Sequence, residues 1–202
     1  MTSYLQNSTC PNISMAVHQT ACFSNQPMLS HKKAIICIGR YLLDTRSHGI
    51  VYKPDTTKGL ECYVDADFAG GWSQADSDNA ENVLSRTGYI ITYASCPIHW
   101  VSCLQTEIAL STAEAEYTTL SQSLRDILPL ISLLKELHKI FPLKVNPPNF
   151  VCKVHEDNQS CISTASSHKF SPRTKHIALK YHHFCQHIKS GRITISYCRT
   201  TE

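Results

Sequence analysis

Leu60-Glu61-Cys62-Tyr63-Val64-Asp65-Ala66-Asp67-Phe68 is the stretch on which the reading of the chain turns. Leu60, Cys62, Val64, Ala66 and Phe68 alternate with Glu61, Tyr63, Asp65 and Asp67, the period-2 pattern of a half-buried strand. Asp65 and Asp67 then share one face. Carboxylates so spaced repel unless a cation, a proton or solvent lies between them, so the pair suits a divalent metal or a solvated surface.

The chain has 202 residues, enough for one domain with an appendage and a sizeable core. An apolar content of 42% argues against disorder. The densest apolar run, Ile127 to Leu137, is broken by Pro129, Lys135 and Glu136, so no membrane span is expected. The polar opening Met1 to Cys10 lacks a secretory pattern, and the expectation is an intracellular protein, cytoplasmic or nuclear, that is not secreted. The 10 cysteines are scattered singly with no C-x-x-C, which predicts free, mostly buried thiols in place of a zinc ribbon. His183 and His187 have helical i, i+4 spacing without a nearby acidic partner, and no zinc is expected there.

Net charge is only +3, but it is unevenly spread. From Asn158 to Thr201 there is no Asp or Glu, while Lys169, Arg173, Lys175, Lys180, Lys189, Arg192 and Arg199 all lie there. Acidic residues gather between Asp65 and Glu81 and at Glu107, Glu114 and Glu116. An acidic site beside a basic flank suits a metal-dependent enzyme with a polyanionic substrate; a solvated basic face is the alternative.

Met1 to Pro54 reads as two helices, with Ile13, Ala16, Val17 and Thr20 at helical spacing and a stripe at Ala34, Cys37, Ile38, Tyr41 and Leu42. Lys53 to Gly59 is turn-rich and divides the chain into residues 1–58 and 59–202. After the opening strand come a polar loop, Ser73 to Arg86, and strands at Gly88 to Ala94 and Ile98 to Cys103 joined by a turn at Ser95-Cys96-Pro97. Ser111-x-x-Glu114 has capping-box spacing for a helix that Pro129 kinks or restarts. A strand ending at Glu156-Asp157, a short helix at Gln159 to Ala165, a basic loop at His168 to His176, a helix at Ala178 to Lys189 and a strand at Arg192 to Cys198 complete a mixed α/β sheet flanked by helices. Tyr89, Tyr93 and Trp100 read as sheet packing.

Glu114 and Glu116 are about 200° apart around a helix axis, so one can face the sheet while the other caps the helix. If the strands bearing Asp65 and Asp157 are neighbours, then Asp65, Glu116 and Asp157 converge. Hard oxygen donors of this kind select magnesium or manganese.

Five ordered segments resemble the ribonuclease H domain of Ty1/copia-type retrotransposon polyproteins. They are Tyr63 to Gly70, Ser85-Arg86-Thr87-Gly88-Tyr89, Leu110 to Tyr117, Glu156-Asp157-Asn158-Gln159-Ser160 and Arg173-Thr174-Lys175-His176-Ile177. Met1 to Pro54 resembles the end of the reverse transcriptase that precedes that domain. The resemblance implies a ribonuclease H-like fold with a mixed five-stranded sheet, residues 1–58 being a small helical appendage. It implies hydrolysis of the RNA strand of an RNA/DNA hybrid with two Mg2+ ions, Mn2+ serving as an alternative, and the reverse transcriptase portion of the same polyprotein as a partner. Carried over position by position, Asp65, Glu116 and Asp157 are the metal ligands, Asp67 and Glu114 are neighbouring acids, and Arg173, Lys175 and His176 contact substrate. The resemblance, and not periodicity, selects Glu116 over Glu114. Family members continue past the last strand into Ala-Asp-Ile, which supplies a fourth carboxylate, and a closing helix, whereas this sequence stops at Glu202 and is expected to be C-terminally truncated. A non-catalytic nucleic-acid-binding remnant is therefore the second reading.

Overall fold

In the computed structural model β1 (Leu60–Asp67) occupies the middle of a five-stranded sheet. The structure describes residues 2–72, 80–141, 150–166 and 185–199. On one side β1 pairs antiparallel with β2 (Arg86–Tyr93), which pairs antiparallel with β3 (Cys96–Leu104). On the other it runs parallel to β4 (Cys152–Glu156), and β4 runs parallel to β5 (Ile193–Tyr197). The order β3-β2-β1-β4-β5 is the mixed arrangement that a ribonuclease H-like fold requires. Parallel neighbours need a long crossover, and α4 (Thr112–Ile140) supplies it between β3 and β4.

The period-2 pattern of β1 turns Leu60, Cys62 and Val64 onto α4, whose Leu120, Leu124, Ile127 and Ile131 repeat at helical spacing on one buried stripe. Tyr89 and Ile91 of β2, Cys152 and Val154 of β4 and Ile193 of β5 complete this core, with Cys161 and Ala165 of α5 (Gln159–Ser166). Burial of each large aliphatic side chain here stabilises the fold by about 2 kcal/mol.

Two local expectations are corrected. The β2–β3 turn is Ala94-Ser95, both left-handed at φ 52° and 63°, so Tyr93 pairs directly with Cys96 in a two-residue hairpin. Pro97 lies inside β3, where the register shifts; this is an edge strand, which tolerates its missing N–H. Second, the helix does not restart at Pro129, since α4 runs through it as one element. Pro129 and Arg125 are both exposed, so the Arg125 carbonyl that proline leaves unpaired faces water.

The N-terminal region holds three helices, α1 (Thr2–Ser8), α2 (Ser14–Cys22) and α3 (Leu29–Asp44). Ile13, Val17 and Ile38 form a small core of their own, with Leu5, Cys10 and Leu42 packed against it. Cys37, read as part of the buried stripe, is exposed. These helices cover the side of β2–β3 turned away from α4. Arg86, 8% exposed, donates to Gln19 Oε1 at 2.7 Å and to Ser102 Oγ at 3.4 Å, and Trp100 Nε1 donates to the Gln6 carbonyl at 2.6 Å. All ten cysteines are free, five of them buried. Among the described residues no helix is long and apolar enough to cross a membrane.

Candidate metal centre

Asp65 sits near the end of β1, Asp157 directly follows β4, and the parallel β1–β4 pairing carries both to the same end of the sheet. Glu116 reaches them from the second turn of α4. That turn is held from two directions. Ser111 caps the helix by accepting from the Glu114 N–H at 3.2 Å, while the Glu114 carboxylate accepts from the Leu110 N–H at 2.8 Å. Beneath it, Gln105 Nε2 donates to the Ala115 carbonyl at 2.9 Å and to Thr119 Oγ1 at 3.3 Å, and Thr119 and Thr87 share a hydrogen bond at 3.1 Å. This buried clasp ties α4 to β2 and leaves Glu116 turned inward, 6% exposed.

One carboxylate oxygen each from Asp65, Glu116 and Asp157 lies within 4.8 Å of the other two, and this is the one such group among the described residues. The charges are costly together. Burial first, then the Glu156, Asp65 and Asp157 carboxylates, push the Glu116 carboxyl up to about 8. Burial and the Asp157 carboxylate raise that of Asp65. Glu116 Oε2 is buried without a hydrogen-bond partner. A buried carboxylate oxygen without a protein donor, facing two more carboxylates, fits a hard divalent cation. The residues present therefore suit the magnesium or manganese that the resemblance implies.

Comparison with protein-family models finds no match. Among curated sequences the chain is 32% identical over 192 residues to the retrovirus-related Pol polyprotein from transposon RE1 of Arabidopsis thaliana, covering 95% of this chain and 12% of that one. It is 31% identical over 199 residues to the Pol polyprotein from transposon TNT 1-94 of Nicotiana tabacum, covering 98% and 14%. Over nearly its whole length the chain is homologous to a segment of the Pol polyproteins of copia-type retrotransposons. It spans only about an eighth of the length of these relatives. Among solved structures, a foamy viral protease-reverse transcriptase in complex with double-stranded DNA is similar at a TM-score of 0.53 and 14% identity, over 98% of this chain and 30% of that one.

In this Pol segment Asp65, Glu116 and Asp157 come together. Asp67 does not join them; its carboxylate lies against Gly70, where an added Cβ would fall 2.0 Å from Asp67 Oδ2 and would push that side chain aside. Arg173, Lys175 and His176, and His183 of the i, i+4 histidine pair, lie outside the described residues. Sequence reasoning missed Glu156, which is wholly buried. Its Oε1 accepts from the Asn158 N–H at 3.1 Å, its Oε2 has no partner, and burial pushes its carboxyl up to about 7. The alternation Cys152, Val154, Glu156 carried the signal, since it turns Glu156 onto the core face. Also missed was a polar row beside the site on the other face. His155 stacks on Tyr63 at 4.4 Å and lies 3.4 Å from Glu61 Oε1 and 3.2 Å from Ser196 Oγ.

Proposed function

We propose that this segment is a ribonuclease H-type endonuclease that hydrolyses the RNA strand of RNA/DNA hybrids with two Mg2+ ions, Mn2+ being able to replace them. The convergence of Asp65, Glu116 and Asp157, one of them buried with an unpartnered oxygen, carries the reading. Magnesium held by these three carboxylates would supply activation of a water and neutralisation of the charge on the leaving oxygen. Asp65 and Asp157 present their oxygens from adjacent parallel strands on a shared edge, open to an incoming phosphodiester. Glu116 closes the site from below and, with its carboxyl pushed up to about 8, keeps a proton at neutral pH until a cation offsets its neighbours. The Ser111 cap and the Gln105 clasp hold its backbone during that change. Arg173, Lys175 and His176 supply cations for the hybrid backbone in this reading. The reverse transcriptase portion of the same polyprotein is the proposed partner.

The test is cleavage of an RNA/DNA hybrid with Mg2+ or EDTA, using Asp157→Asn as the control. Mg2+-dependent cleavage that falls at least roughly a hundredfold in the variant is expected. A second reading is a hybrid-binding remnant without turnover. Hybrid binding without cleavage by the parent chain would establish it and refute the nuclease.

A further inference from the structure

Far from the carboxylates, α4 ends at a cleft that the proposed chemistry leaves unused. Lys135, His138 and Lys139 stand at i, i+3 and i+4 on one face of its last turns, about 30 Å along the helix from Glu116. Across the cleft lies the turn that leads into β5. Gly191, at φ +67°, closes the preceding helix through its N–H to the Ile188 carbonyl, and the Arg192 N–H returns to the His187 carbonyl. This turn delivers the exposed Arg192 to the cleft opposite the lysines. Phe150 forms part of the lining, its ring edge-on to His138 at 5.5 Å. The space is about 600 Å3, and among the described residues no carboxylate lines it. Among the described residues Lys135, Lys139 and Arg192 make no salt bridge.

The negative end of the α4 dipole explains cations in its last turn. It does not explain why Arg192 of a separate element faces them, or why an aromatic pair lies between. Cations on opposite walls of a cleft with an aromatic lining are what a single strand of nucleic acid needs, phosphates meeting the charges and a base meeting the ring. We propose that this cleft binds single-stranded nucleic acid, with Lys135, Lys139 and Arg192 on phosphates and the Phe150–His138 pair against a base. It goes beyond the metal-centre reading and does not depend on cleavage.

The test is fluorescence-anisotropy binding of the full chain to a labelled oligouridine strand of roughly 12 nucleotides in EDTA across a salt series. The variants are Lys135→Ala/Lys139→Ala/Arg192→Ala and Phe150→Leu. The triple variant is expected to bind roughly tenfold or more weakly and to flatten the slope of log K against log salt by about 2, from three phosphate contacts at about 0.7 each. Phe150 packs on the core, so leucine keeps its burial while removing the flat ring; weakening of roughly fivefold is expected with an unchanged melting temperature. Binding is read in EDTA, where no metal-dependent cleavage occurs, so a failed nuclease reading leaves this result standing. Unchanged affinity and slope in the triple variant would overturn the proposal. So would unaltered binding by Phe150→Leu together with inorganic polyphosphate competing as well as the oligonucleotide, the signature of a general polyanion surface.

Discussion

Replacing Glu116 by glutamine should strengthen the metal-free fold while disabling the site. The Glu116 carboxyl has an ordinary value of 4.5 and is pushed up to about 8 in the folded chain. Between those values the folded state binds the proton that the unfolded state releases. Its contribution is therefore fully present below 4.5 and is lost as pH rises towards about 8. At pH 7 the 2.5-unit gap above the unfolded value corresponds to roughly 3 kcal/mol. Glutamine has the same shape and no charge, and its amide can donate to the neighbouring carboxylates. After the cost of burying that amide, a gain of about 2 kcal/mol at pH 7 is expected. For a chain of this length that is about 4–8 °C in melting temperature. The assay is thermal melting of parent and Glu116→Gln from pH 5 to pH 8, in EDTA and in excess Mg2+. In EDTA the difference should be small at pH 5 and grow towards pH 8. Saturating Mg2+ should stabilise the parent by about 3 kcal/mol at a hundredfold excess over its dissociation constant, and stabilise the variant far less. A difference that does not vary with pH, or a variant less stable than the parent at pH 8 in EDTA, would refute the reasoning.

Other outcomes follow from the packing. Arg86→Ala should cost about 2 kcal/mol in urea unfolding, because it removes a buried charged side chain and its part-buried hydrogen bond to Gln19, and should make residues 2–44 sensitive to limited subtilisin digestion. Stability and digestion equal to the parent would show that α2 is not held through this side chain. Pro129→Ala should raise stability by about 1–2 kcal/mol, since a proline inside a helix costs about 3 kcal/mol relative to alanine and part of this is returned by its stiffening of the unfolded chain. A lower urea midpoint would place the freed Arg125 carbonyl in a contact other than water. Ser111→Ala should cost about 1 kcal/mol through loss of the cap, measured in the same way.

The central strand was legible because alternation at Leu60, Cys62 and Val64 is a local signal, and the same holds for the α4 stripe and its Ser111 cap. The hairpin was misplaced by two residues because proline is usually a turn residue, and only the edge position of β3 makes Pro97 tolerable within a strand. Pro129 reads as a kink or a restart for the same local reason; whether the freed carbonyl meets water or protein is a fact about the surface. Glu156 was passed over because a charged residue at a strand end normally faces solvent.

By itself, then, the sequence determined the order of the strands, the long helix between β3 and β4, the carboxylates available, and the one-sided distribution of basic residues, because periodicity, capping and charge are written along the chain. Only the tertiary structure decided which acids meet. Asp65 and Asp67 share a strand face, yet the carboxylate cluster takes Asp65 from β1 and passes over Asp67, whose carboxylate lies against Gly70. It likewise chose Glu116 over Glu114, because the clasp of Gln105 and Thr119 sets the rotation of α4 while Glu114 is spent on the cap. The physical reason is that convergence depends on the parallel pairing of β1 with β4 and on the roll of one helix, and neither is a local property of the chain.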